Sequence, residues 1–183
     1  RIELQTDSLA PRIRGGRAVP IELPELDVEG GSLPRPVRVA IVDTAANGRT
    51  AGAPGTAAHS SHGRDLGAMV QHLACPDCTS MDRPLELSNH AGLDLVSPVR
   101  PPDPQGGLFG YQATIAARIY EAVATWRLDH PDPAVGARLV INLSLGWEGI
   151  YVDPDNPSLA EQAVKAAITF AGCQGALVVA AAG

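Results

Sequence analysis

At 183 residues and 45% hydrophobic content, the chain is long enough for a genuine core, since a domain near 150 residues hides roughly 70% of its unfolded surface. A formal net charge of −6 without any basic cluster excludes the electrostatic footprint of a nucleic-acid binder, and no run approaches the ~20 apolar residues of a membrane span. The first residue is Arg1 rather than Met, so any leader or pro-segment is expected to have been removed already and its absence is uninformative.

Residues 1–36 read as an arm. Prolines at 11, 20, 24, 34 and 36 and paired glycines at 15–16 and 30–31 leave no stretch of helical length, because proline fixes its own torsion and restricts the residue before it. The expected folded domain occupies 37–183. It opens with Val37-Arg38-Val39-Ala40-Ile41-Val42, an apolar run of strand length that stops on Asp43-Thr44. A carboxylate there lies at the carboxyl edge of a sheet, where open α/β folds keep their sites.

A loop of small residues follows, with Gly48, Gly52, Pro54 and Gly55. Asn47 and His59 read as solvated, and Ser60 and Ser61 as helix caps. Leu66, Met69, Val70 and Leu73 then recur at i, i+3, i+4 and i+7, so His62 should open a helix resting one face on the core. Asp65 suits its first turn, where the macrodipole favours negative charge. A strand-end carboxylate and a helix-start imidazole can hydrogen-bond across a short gap, which is two thirds of a nucleophilic triad.

Cys75-Pro76-Asp77-Cys78 closes this helix. A C-x-x-C pair beyond a helix C-terminus is poorly placed for redox work. Zinc would need His72 plus a fourth ligand from His90, Asp82 or Cys173, none at a recognisable spacing, so a local disulfide or plain thiols is the preferred reading. Leu93-Asp94-Leu95-Val96 is the candidate next strand, and residues 97–110 a proline- and glycine-rich loop. Helical period returns over 112–128, with Ile115, Ile119, Val123 and Trp126 on one face, and ends at His130-Pro131.

Arg138 to Leu143 reads as a central strand, with Asn142 a hydrogen-bonded member of it and Ser144 suited to satisfying a neighbouring backbone group. Ser158-Leu159-Ala160-Glu161 is a capping box before an Ala-rich helix ending at Gly172. Ala176–Ala182 is an all-apolar run expected to be buried on both sides. Strand and helix alternate throughout, which gives a doubly wound, mainly parallel α/β sheet of about four core strands with helices on both faces and right-handed crossovers. No G-x-G-x-x-G or Walker sequence follows any strand, which disfavours a nucleotide-binding domain.

Four blocks stand in one order: Arg38-Val-Ala-Ile-Val-Asp-Thr, Ser61-His62-Gly63, Leu139-Val-Ile-Asn-Leu-Ser-Leu-Gly146 and Ala176-Leu-Val-Val-Ala-Ala-Ala-Gly183. In that order they resemble the signature blocks of subtilisin-like serine proteases, over about Val37 to Gly183. The resemblance implies a serine endopeptidase fold, with Asp43 and His62 as catalytic residues and Ser144, Leu145 and Gly146 lining a site that pairs with an extended peptide substrate. It implies no required cofactor, structural calcium that the sequence does not locate, and export from the cell.

The chain departs from the pattern at Arg64 and Asp65, where the family carries Thr and a second His, and at Ala45, where it more often has Gly. The family's oxyanion Asn and its Gly-Thr-Ser nucleophile are absent. Ser80, Ser88, Ser97, Ser144 and Ser158 do not sit on a sharp strand-to-helix turn, so the polypeptide alone is expected to be inactive, an N-terminal part whose partner is the missing C-terminal half of the peptidase domain. The alternative from another class is a non-catalytic α/β module or degenerate protease that binds peptides.

Overall fold

A computed structural model of the chain describes residues 36–45, 61–74, 85–93, 110–132, 136–146 and 156–181. The chain divides into two compact units, Arg1–Leu33 and Pro34–Gly183. The first holds most of the expected arm and lies outside the described residues.

Strand β1, Val37–Asp43, is buried from Val39 onward, as a β-branched run flanked by strands on both sides should be. Helix α1, His62–Ala74, leads to β2, Leu85–Ala91; helix α2, Gln112–Asp129, leads to β3, Arg138–Leu143; and helix α3, Leu159–Cys173, leads to β4, Leu177–Ala180. The four strands form one sheet in the order β2-β1-β3-β4, and every pairing is parallel. The architecture is α/β.

The strand order places the helices. The step from β1 to β2 runs one way across the sheet, while β2 to β3 and β3 to β4 run the other way, so crossovers of one hand put α1 on one face and α2 and α3 on the opposite face. Side chains of β1 alternate accordingly. Ala40 and Val42 join Ile115, Ile119, Val123 and Trp126 of α2 and Val164, Ala167 and Ala171 of α3 in the main apolar cluster, together with Leu139, Ile141 and Leu143. Ile41 points the other way, towards Gly67 of α1. Burying Ile41, Ile119, Leu139 and Ile141, each no more than 2% exposed, stabilises the fold by ~1.5–3 kcal/mol per side chain.

Helix α2 bears the four expected apolar residues inward. Trp126 also donates its indole N–H to the Ala137 carbonyl at 2.7 Å, which satisfies the polar end of a buried ring. Helix α3 begins with the expected capping box, Ser158 and Glu161 each meeting the other's backbone N–H. It runs one residue past Gly172 to Cys173. The left-handed residue that stops it is Gly175, at φ 86°, with Gly175 N–H to Gly172 O at 2.9 Å and Ala176 N–H to Ala171 O at 3.0 Å, the paired bonds of a Schellman stop.

Three expectations are corrected. The strand after α1 is Leu85–Ala91, not Leu93–Val96; Leu93 lies beyond it, and 94–96 are outside the described residues. β2 is an edge strand carrying Glu86, Ser88, Asn89 and His90, so it lacks the apolar run that marks an interior strand. The described part of the run expected at Ala176–Ala182 is not buried on both sides: among the described residues β4 is the other edge, and Leu177 and Val179, on the same face of the sheet as α1 but beyond that helix's reach, are 61% and 45% exposed. In α1, Leu66, Met69 and Val70 are half-buried but Leu73 is exposed, because the helix meets the sheet through Gly63 and Gly67.

At the amino end of the sheet, Arg38 bonds Glu86 at 2.8 Å and Asp129 at 2.7 Å, while His130 Nε2 meets the same Glu86 oxygen at 3.0 Å. This network braces β1, β2 and the end of α2.

Candidate functional site

In a parallel sheet whose strand order reverses direction, the loops leaving two neighbouring strands turn to opposite faces and open a crevice between them. That reversal falls between β1 and β3. Asp43-Thr44 leaves β1 towards α1, and Ser144-Leu145-Gly146 leaves β3 towards α3. The ladder pairs Ile41 with Asn142, so continuing it by two residues sets Asp43 and Ser144 at the same level of the sheet.

The Asp43 side chain shares the orientation of Val39 and Ile41, facing α1, and is completely buried. His62, the first residue of α1, places Nδ1 at 2.7 Å from Asp43 Oδ1. Its side chain remains 34% exposed, so one partner is sealed in the protein while the other faces out. A buried carboxylate without a partner would be costly. Here Oδ1 also accepts the Thr44 N–H at 2.7 Å, while Oδ2 is buried with no hydrogen-bond partner among the described residues. The bond to Asp43 holds the His62 imidazole above its ordinary value of 6.5, against the opposing effect of burial, with smaller help from the charges of Asp43 and Asp65.

The pair is held by its neighbours. Gly63 N–H donates to Thr44 Oγ1 at 2.8 Å, and Asn89 Nδ2 of β2 donates to the Thr44 carbonyl at 3.1 Å. A Cβ on Gly63 would overlap that carbonyl oxygen, so only glycine lets the start of α1 come this close to the end of β1. Asp65 N–H closes the first turn onto the Ser61 carbonyl at 2.8 Å. Thr44 and Asn89 were not recognised from the sequence as parts of the site. A hydroxyl directly after a strand-terminal Asp was the available signal for Thr44, and nothing in the sequence pointed to Asn89.

Ser144 donates its hydroxyl to Asn142 Oδ1 at 2.9 Å, a side-chain partner rather than the backbone group expected. Leu145 is half-buried and Gly146 exposed, and among the described residues nothing lies within 4 Å of a Cβ built on Gly146. Beside them a cavity of about 290 Å³, lined by Ile115, Leu143, Leu145, Gly146, Val164, Ile168, Ala180 and Ala181, opens at the carboxyl ends of β3 and β4 on the α2/α3 face. The side chains that line it are all apolar.

Among the described residues no group of three or more His, Cys, Asp or Glu could hold a metal ion. His72 is exposed near the end of α1, His90 is buried on β2 and Cys173 is exposed at the end of α3. Asn47, His59, Ser60, Cys75, Cys78, Asp82, Trp147 and Glu148 lie outside the described residues. No helix among the described residues is long and apolar enough to cross a membrane. Compared with known proteins, the chain matches no protein-family model, no curated protein and no solved structure.

Proposed function

We propose that this chain carries the acid and base of a subtilisin-like serine endopeptidase, together with the floor on which a peptide substrate lies. What supports the reading most is the Asp43–His62 bond of 2.7 Å, a sealed carboxylate and an accessible imidazole at the reversal point of a parallel sheet. In this reading His62 accepts the proton of a serine hydroxyl during attack on the scissile carbonyl and returns it to the leaving amine. Asp43 fixes the tautomer with Nδ1 protonated and steadies the imidazolium that forms.

The nucleophile is a serine from beyond these 183 residues. Ser144, Leu145 and Gly146 offer backbone to an extended peptide, with Gly146 leaving room for close approach, and the apolar cavity beside Leu145 favours an aliphatic side chain. Peptide-bond hydrolysis by this arrangement calls for no cofactor.

The test is to express the coding sequence with whatever follows Gly183 and to assay peptide hydrolysis and fluorophosphonate labelling. Hydrolysis that falls about 10⁴-fold in Asp43→Asn, and comparably in His62→Ala, supports the proposal. Hydrolysis indifferent to both substitutions, or none at all, overturns it in favour of a peptide-binding module.

A further inference from the structure

A second histidine stands on the other face of the sheet. β2 pairs with β1 so that Ser88 lies beside Ala40 and His90 beside Val42, and residues two apart on a strand share a face. Both therefore face α2, away from His62. Ser88 Oγ is 3.2 Å from His90 Nε2. On the far side of the ring, His90 Nδ1 is 3.8 Å from Glu121 Oε1 of α2. Arg118 holds Glu121 at 2.5 Å and anchors itself by donating Nε–H to the Ala91 carbonyl at 2.9 Å. His90 is 7% exposed, while Ser88 is half-buried and Glu121 exposed.

We infer that Ser88 is a second nucleophile, with His90 as its base and Glu121 as a positioning residue, able to take an acyl group from an activated ester. With Nδ1 protonated towards Glu121, the Nε2 lone pair accepts the Ser88 hydroxyl proton. Burial keeps His90 below its ordinary value, so the ring is neutral and able to act as a base near pH 7. Oγ then bonds to the acyl carbon, the ester C–O bond breaks, and the leaving phenolate departs with its electron pair. His90 passes the proton on to the phenolate or to water. The product is an acyl-serine, formed once per chain.

The full 183-residue chain treated with p-nitrophenyl acetate should acquire one acetyl group on Ser88, located by peptide mass mapping, which also separates this label from one on any serine outside these residues. Ser88→Ala removes it. His90→Gln, verified as folded by its thermal melt, slows it about 100-fold. The charged groups facing His90 are Glu121 and Arg118 of α2 and Arg38 of β1, so Glu121→Gln moves the midpoint of the rate against pH downward, a change that lost packing does not produce. Acetyl groups on Lys165 or the chain's amino terminus with Ser88 unmodified overturn the inference, as does a folded His90→Gln chain acylated at the wild-type rate.

Discussion

Gly63 shows how tightly the Asp43 and His62 side chains are held in place. Its nearest foreign neighbour is backbone, the Thr44 carbonyl, which cannot swing aside as a side chain would. Gly63→Ala should therefore cost about 2–3 kcal/mol in a urea titration, whereas Gly146→Ala, which meets open space, should stay within about 0.5 kcal/mol. His62 adds a pH signature of definite sign. Its folded pKa lies above the unfolded value, so the stability it contributes is fully present below about pH 6.5 and is lost as pH rises through the folded value. The difference in unfolding free energy between the wild type and His62→Ala should accordingly shrink from pH 6 to pH 9.

The elements differ in how far their sequences announced them. α3 was legible at its start because Ser158 and Glu161 satisfy each other's backbone N–H groups, a pairing written directly into S-x-x-E. Ser158→Ala should cost about 1 kcal/mol by thermal or urea unfolding. α2 was legible because its apolar period coincides with the face it buries. β1 and β3 were legible because interior strands are apolar on both sides. β2 was not, because an edge strand lined with Glu86, Ser88 and His90 gains its place from partners distant in sequence: Arg38, Glu121 and His130. The exposure of β4 was hidden for the opposite reason, since an all-apolar run states a preference for burial but not which neighbours supply it. At the site, strand end and helix start located Asp43 and His62, but it was the order of the four sequence blocks that singled them out, while the lock made by Thr44 and Asn89 depends on the β1–β2 register, which no local pattern encodes.

Across the whole molecule, β1 divides two tasks between its ends. Its amino end is braced by Arg38 against Glu86 and Asp129, and its carboxyl end presents Asp43. Burial acts to raise the Glu86 pKa, but hydrogen bonds from His130 and Arg38 outweigh it and hold the carboxyl below its ordinary value of 4.5. The stability Glu86 contributes is thus present above pH 4.5 and lost as pH falls through its folded value. Glu86→Gln should consequently reduce stability at pH 7 and differ progressively less from the wild type below pH 4.5, as followed by denaturant unfolding across pH. The other end of β1 carries the central claim, and titrating the His62 imidazole by NMR in the wild type and in Asp43→Asn tests it most directly. A pKa above 6.5 in the wild type that drops when the carboxylate is removed is the predicted result; an imidazole that titrates identically in both proteins would contradict it.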